Sequence, residues 1–347
     1  MHKRRMSSMV DKLTLNMYDN DIVKWEYDGK LYCLHVQRDE TPMNPRRDWD
    51  NPITLMACWH RRYSLGDEIQ DKYPEEFWIR MVCENVPESE ILAAAESGKL
   101  SGIRIAKCRG KGKKGLVDVY ETCQWRTVIG NSELQESLEY AEIARDTAAA
   151  YLIDDLTIEH CMTLMRPYAE WLPLWLYDHS GLTMSCGARC GQYADRWDSG
   201  QAGWIFVLKK TIMEECGSEY VLDENGERIK VKYPHKGAAS TWGYLTRPLT
   251  DETWRKRAVE FMKADVGVYD QYLTGDVYGF TLYSAEYPEE GEDPAWFEED
   301  SCWGFFGCDI MENGVEDHVG YGLRKAVEDG KIKMSEAIPH TCTYYTF

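Results

Sequence analysis

The sequence predicts an α+β fold with a mostly antiparallel sheet, several hairpins and packed helices. Three observations carry that expectation. Asp28-Gly29 and Asn225-Gly226 each stand between runs of β character, which is hairpin chemistry because such turns need positive φ. Helical periodicity occurs in separate stretches at irregular intervals. Strand–helix–strand units of the parallel crossover kind are few. At 347 residues the chain has ample length for a real core. A soft division near residue 130 separates an N-terminal α+β region, 12–130, from a C-terminal one, 131–347, after a disordered basic tail over 1–11.

In order, Ile22–Tyr27 and Lys30–Gln37 alternate apolar and polar residues around Asp28-Gly29 and predict the first hairpin. A Pro- and Arg-rich loop, Arg38–Pro52, leads to a buried strand over Ile53–Trp59. Glu75–Cys83 has helical spacing behind Pro74, a favoured first-turn residue. Pro87–Leu100 predicts a second helix closed by Gly98. The run Arg109–Gly115 is a basic hairpin tip; it lacks the spacing of a phosphate loop. Leu116–Val128 predicts a strand and Ser132–Tyr151 the longest helix, capped by Ser132. Thr157–Glu170 predicts a further helical stretch. Two apolar, aromatic runs, Leu174–Tyr177 and Trp204–Leu208, predict buried strands. Thr211–Cys216 predicts a short helix, and Tyr220–Asp223 and Glu227–Tyr233 a hairpin about Asn225-Gly226. Thr250–Tyr272 predicts an amphipathic helix with Thr250 as its cap and Trp254, Val259, Phe261, Met262 and Val266 on its core face. Val277–Tyr283 alternates as a strand. Glu286–Asp300, with eight acidic residues of fifteen, predicts an exposed loop. Ser301–Gly307 returns to the core, Val315–Val327 predicts a helix, and Thr341–Phe347 a β-like tail.

Acidic residues outnumber basic ones by 59 to 40, a net charge of −19. Such a field argues against a general nucleic-acid binder, since the phosphate backbone rewards Lys and Arg. It suits a solvated acidic surface or the imitation of a polyanion, for which Glu286–Asp300 is the strongest local support. No run approaches the ~20 apolar residues of a membrane helix, and the N-terminus has no apolar segment of a signal peptide. Twelve cysteines without a secretion signal read as free thiols in a reducing cytoplasm. Cys33, Cys58, Cys83 and Cys108 fall 25 residues apart, but their flanks do not repeat.

Reactive side chains gather at the ends of the two aromatic strands. Asp178-His179-Ser180-Gly181 follows one, and Asp198-Ser199-Gly200-Gln201 precedes the other. Together with His60 they supply the types that a nucleophile, base and orienter need. Neighbours on a strand point to opposite faces, so Asp178, His179 and Ser180 cannot converge as a triad. Asp and Ser beside Gly are also ordinary turn chemistry. Zinc is the second candidate: Cys33-Leu-His35 and Cys58-Trp-His60 each place two ligands on one strand face, and Cys186-x3-Cys190 has the spacing nearest a structural site. Free thiols are equally at home in cores. No cofactor other than such a zinc is expected. For binding, the aromatic anchors are Trp197, Trp204, Trp296 and Trp303.

Four segments are long enough to carry a family resemblance. They are Pro45-Arg-Arg-Asp-Trp-Asp-Asn51 with Cys58-Trp-His-Arg-Arg-Tyr-Ser-Leu-Gly-Asp67; Leu176-Tyr-Asp-His-Ser-Gly-Leu-Thr-Met184 with Trp197-Asp-Ser-Gly-Gln-Ala-Gly203; Tyr269-Asp-Gln-Tyr-Leu-Thr-Gly-Asp-Val-Tyr-Gly279; and Asp300-Ser-Cys-Trp-Gly-Phe-Phe-Gly307. The chain resembles a family of uncharacterised proteins of bacteriophages and conjugative elements. It departs from that pattern at Asn51-Pro52-Ile53, where a Leu-Gly-type step is expected, and in the Cys- and Gly-rich Cys186–Tyr193.

A mobile-element setting implies an accessory protein that counters host defence, resembling in type the viral anti-Gabija inhibitors. The expected action is binding and inhibition of a host immune complex, as a homo-oligomer, in the host cytoplasm. The alternatives are a hydrolase acting on a nucleotide or small signal through Asp178–Ser180 and Asp198–Gln201, and an acidic DNA mimic that blocks restriction.

Overall fold

Asp28 and Gly29, at φ 48° and 78°, turn the chain between β1 (Asp21–Tyr27) and β2 (Lys30–Arg38), as their sequence requires. The computed structural model of the chain describes residues 13–50, 52–109, 116–122, 152–194, 197–233 and 241–339. The expected basic tail, the tip over 110–115, the strand residues beyond 122, the helix Ser132–Tyr151 and the tail Thr341–Phe347 lie outside them.

The fold is α+β, and all strand pairings among the described residues are antiparallel. One sheet has five strands, in the order β14 (Phe297–Phe306), β13 (Val277–Glu286), β2, β1, β15 (Lys333–Ser335). The other has four, in the order β3 (Leu55–Cys58), β8 (Ser199–Leu208), β6 (Ala169–Asp178), β7 (Leu182–Cys186). Both sheets combine strands from either side of residue 130. A further hairpin, β4 (Ile103–Arg109) with β5 (Leu116–Thr122), lies in the chain between β3 and β6.

Strand alternation gives the four-stranded sheet two apolar faces, and helices cover both. On one face Ala57, Trp171 and Phe206 pack with α1 (Pro74–Asn85), α2 (Glu88–Glu96) and α3 (Ile158–Met165). Trp78 of α1 sits at the centre of this layer, edge-on to Trp171, Trp204 and Phe206. On the other face Met56, Ile205, Leu174 and Met184 pack with Trp254, Met262, Val266 and Tyr269 of the long helix α5 (Asp251–Thr274); the short α4 (Lys209–Cys216) adds Ile212. Thr250 caps α5 as expected, within a capping box formed with Thr253. Gly275, at φ 71°, ends the helix and turns the chain into β13, so one helix joins the two sheets. The five-stranded sheet is backed on one face by Leu34, Val36 and Phe280 against α6 (Val315–Val319) and α7 (Leu323–Glu328).

A buried ion network fastens the loop before β3. Arg46, within that Pro- and Arg-rich loop, is 6% exposed. Its Nε and Nη2 donate to the two Asp67 oxygens at 2.7 Å each, Nη1 donates to Asp265 at 3.0 Å, and Nη2 to the Thr54 carbonyl at 2.6 Å. The Thr54 hydroxyl donates to Asp265 at 2.5 Å. Burial opposes the charge on Arg46, but the hydrogen bonds and charge of Asp67, with those of Asp265, more than offset it and raise its pKa.

Several expectations are corrected. The helix expected over Thr157–Glu170 stops at Met165, because Ala169 and Glu170 already pair in β6. The helix expected over Pro87–Leu100 ends at Glu96. Val315–Val327 is two short helices, since Gly320 and Gly322 both adopt positive φ between them. Glu286–Asp300 is not simply a loop: Glu286 ends β13, and Glu298, Glu299 and Asp300 lie in the edge strand β14, whose exposed positions accept charge. The Asn225-Gly226 turn forms, with Gly226 at φ 83°, and its two arms pair across it: Leu222 bridges Arg228, the Asp223 N–H donates to the Glu227 carbonyl at 2.8 Å and the Ile229 N–H to the Val221 carbonyl at 3.0 Å; the strands farther out take additional partners. Here β9 (Ser218–Tyr220) pairs with β12 (Thr246–Pro248), and β10 (Lys230–Tyr233) with β11 (Thr241–Tyr244). Among the described residues no helix is long and apolar enough to cross a membrane.

Candidate functional site

Three strand ends meet at one end of the four-stranded sheet: the exit of β3, the exit of β6 and the entry of β8. The pairing that aligns the last two runs through their ends, with the Asp178 N–H donating to the Asp198 carbonyl at 2.8 Å. Gly203 allows β3 to approach β8, since a Cβ there would run into the Ala57 carbonyl. The result is a cleft of about 180 Å³ whose wall includes His60, Arg62, Asp178, Asp198, Ser199 and Gln201. Most of the residues named from sequence are therefore brought together. His179 and Ser180 lie in the turn beyond β6, with Ser180 in the left-handed region at φ 58°.

The cleft is organised by ion pairs. Arg62 pairs with Asp178, which also accepts from the Tyr63 hydroxyl at 3.3 Å. His179 Nδ1 lies 3.0 Å from an Asp198 oxygen. His60 Nδ1 accepts from the backbone N–H groups of Arg62 and Tyr63 at 3.4 and 3.3 Å, and its ring stacks on Tyr63. Its pKa is lowered by burial first and by the Arg62 charge second, with Asp178 opposing them.

The neutral form of His60 is thus the folded one, and the unfolded chain binds the proton more readily. The turn over 60–63 should keep full stability above the ordinary histidine value of about 6.5 and lose it as pH falls below. An NMR titration should show the His60 ring midpoint below that of an unfolded control peptide, with the Arg62 and Tyr63 amide signals moving in step. An ordinary midpoint would contradict it.

The arrangement holds a histidine–carboxylate pair. Ser199 Oγ donates to the Tyr193 carbonyl at 2.7 Å and receives a donor from Arg189 at 3.1 Å. Ser180 Oγ is carried by a turn, as Asp-Ser-Gly chemistry permits. The Gln201 amide donates to the Gly203 carbonyl at 3.2 Å. These side chains shape strand ends, and the cleft is smaller than the roughly 300–1,000 Å³ usual for ligand sites.

The cysteine pairs are separated. Cys33 and His35 lie on β2, in the five-stranded sheet, while Cys58 and His60 lie in and just beyond β3 of the other. Burial pushes the Cys33 and Cys58 thiols up to about 12, disfavouring the thiolate that a metal needs. Cys186 is half-buried on β7, its thiol also raised by burial, and Cys190 is exposed beyond it. Among the described residues no three His, Cys, Asp or Glu side chains are grouped as metal ligands.

The four tryptophans separate by exposure. Trp204 packs edge-on against Trp59 and Trp78 in the core, and Trp296 is 8% exposed. Trp303 is half-exposed over Gly279, and Trp197, at the rim of the cleft, is 95% exposed. A larger exposed aromatic surface was not singled out from sequence. It is an arm of residues 217–233 and 241–249, formed by β9 to β12, whose strands, among the described residues, pair with one another. It presents Trp242 at 69% exposure and Leu222 at 55%, with Tyr220 and Tyr244 also exposed and their rings edge-on; Tyr233 is exposed on the opposite face, beside Gly243. The Arg228 guanidinium lies 4.2 Å from the Tyr220 ring centroid and fastens the cluster. The clue in sequence was an aromatic alternation, Trp242 and Tyr244, in a segment too polar to belong to a core. No family model, curated protein or solved structure matches the chain.

Proposed function

We propose that the protein works by binding another protein, as a mobile-element accessory factor that inhibits a host defence complex, with the arm of β9 to β12 (217–233 and 241–249) as its principal contact surface. The observation that carries this reading is the exposed surface of Tyr220, Leu222, Trp242 and Tyr244 on an arm whose strands, among the described residues, pair with one another. Exposed aromatic patches rimmed by polar groups mark interaction sites, and Trp and Tyr dominate binding hot spots. Arg228, Lys230, Lys232 and Arg247 among the aromatics suit a partner with an acidic rim, in contrast to the chain's overall negative charge.

The competing reading is a hydrolase centred on His179 and Asp198, and one experiment separates the two. The protein is expressed in bacteria carrying individual defence systems, and phage plating is measured. The combined Trp242→Ala and Tyr244→Ala variant is expected to lose at least about tenfold of any protection against defence, because one hot-spot aromatic is worth roughly 2 kcal/mol or more. Its melting temperature should stay near that of the parent, since both side chains are exposed. His179→Ala and Asp198→Ala should leave the protection intact. The reverse pattern would favour the hydrolase, and no protection with any defence system would remove the host-defence reading.

A further inference from the structure

The turn that follows β3 borders two openings. His60, Arg61 and Arg62 line the cleft and also a neighbouring groove of about 760 Å³, within the usual range for small-molecule sites. Three separate stretches of chain bring cations to this groove. The loop before β3 supplies Arg47, the turn after it supplies Arg61 and Arg62, and the approach to α1 supplies Lys72. In a chain of net charge −19, four cations around one groove run against the general field.

Three carboxylates also line the groove, but two of them are neutralised by arginines that do not. Asp67 takes two hydrogen bonds of 2.7 Å from Arg46, and Asp71 lies 2.7 Å from Nη2 of Arg80. Glu68 alone of the three forms no ion pair among the described residues. The cations are less engaged. Arg47 donates to neutral oxygens, the Gly66 carbonyl at 3.3 Å and the Ser64 hydroxyl at 2.8 Å, which fix its guanidinium without cancelling its charge. Arg61 and Lys72 form no ion pair among the described residues, and the Lys72 ammonium rests 5.2 Å from the Tyr73 ring centroid. Arg62 shares Asp178. His60 adds a donor: its Nδ1 accepts from two backbone N–H groups, so the neutral ring carries its proton on Nε2. Exposed arginines and lysines are ordinary on a solvated surface, but a solvated surface does not require that the carboxylates among them be neutralised from elsewhere.

We propose that this groove binds a diphosphate group, free or as the end of a nucleoside diphosphate. Guanidinium forks meet phosphate oxygens two at a time, and Lys72 adds a mobile point charge. Two linked phosphates spread their oxygens over a greater length than one, which suits donors supplied by three stretches of chain. No base is read: the Trp59 ring is packed against Phe77 and Trp204, and the Tyr63 ring is stacked on His60. The site does not rest on the arm or on the proposed inhibitory binding, so either can fail without the other.

Inorganic pyrophosphate is the probe, titrated against the full-length protein by calorimetry, with inorganic phosphate, adenosine 5′-diphosphate and adenosine 5′-monophosphate as separate arms. Saturable binding of pyrophosphate is expected, at least about tenfold tighter than phosphate. An adenosine diphosphate that binds as tightly as pyrophosphate, or more so, assigns the group to a nucleotide, and one that binds more weakly assigns it to the free anion. Arg61→Gln with Lys72→Gln should weaken pyrophosphate binding by at least about tenfold, as the loss of charge-assisted hydrogen bonds implies. Lys331→Gln with Lys333→Gln removes the same charge elsewhere and should leave it unchanged. Should the first variant fold poorly, the unmodified protein still decides: NMR should show the Trp59 indole signal moving with ligand and the Trp242 signal still. The proposal is overturned by no saturable binding, by a monophosphate binding as well as its diphosphate, by unchanged affinity in the folded Arg61 and Lys72 variant, by an equal loss in the control, or by a ligand response at Trp242 in place of Trp59.

Discussion

Replacing Arg46 by methionine is expected to destabilise the fold by about 3–5 kcal/mol, because it removes one partner of a buried ion network and leaves the other charges unpaired. Asp67 and Asp265 would both lose their cation, and the Thr54 carbonyl its donor. The damage would spread, because Asp67 also accepts from the Met56 N–H at 2.7 Å and so fixes the register of β3 beside its own loop. Arg46→Lys should recover only part of the loss, since an ammonium cannot make the bidentate contact to Asp67. Urea denaturation checks both, through a lower midpoint with an unchanged slope. Arg62 is the control: it also pairs with an aspartate, but its side chain is 57% exposed, and Arg62→Ala should cost no more than about 1 kcal/mol. If the Arg46 and Arg62 variants are equally stable, the network does not hold the loop.

Trp78→Ala is expected to be about as severe, again roughly 3–5 kcal/mol, for a different reason. The side chain is fully buried, with four aromatic rings edge-on around it at centroid distances of 5.2–5.8 Å. Deleting it leaves a cavity lined by rigid rings that cannot close over it, and forfeits the edge-to-face contacts as well. Trp78→Phe should be far milder. The indole N–H has no hydrogen-bond partner among the described residues, and phenylalanine removes that buried donor along with part of the volume. A phenylalanine variant as damaged as the alanine one would show that shape, not the unsatisfied donor, sets the balance.

Local signals in the sequence were sufficient where the structure is itself local. The Asp28-Gly29 hairpin needs only its own turn and alternation, and α5 only its Thr250 cap and apolar stripe. The parts that were not legible depend on distant partners. Strand β7 is too short and polar to announce itself; it is held by pairing with β6 and by Asp270 of α5, which accepts from the Met184 N–H at 2.6 Å. Arg46 stands in a segment whose prolines and charges read as solvated loop, and two of its partners lie 21 and 219 residues away. The acidic β14 reads as loop because an edge strand can carry carboxylates towards solvent without losing its ladder on the other side. At the cleft, most of the residues named from sequence come together, for a reason that sequence shows only in part. The polar triplets do flank adjacent strands, and pairing brings Asp178 beside Asp198; the Ser199 hydroxyl is engaged by Tyr193 and Arg189, which periodicity cannot see.

The five-stranded sheet places β1 and β2 directly against β13 and β15. The ribosome therefore releases the β1–β2 hairpin long before the strands that flank it on either side exist, with everything from Arg38 to Val277 still to be made. Throughout that interval both edges of a hairpin rich in Val, Leu and Trp are open to pairing with other chains. Closure of the sheet is a late, long-range event in folding and a slow one, since loop-closure entropy must be met before those contacts form. During synthesis the nascent chain depends on the shielding of that hairpin, a demand set by strand order alone.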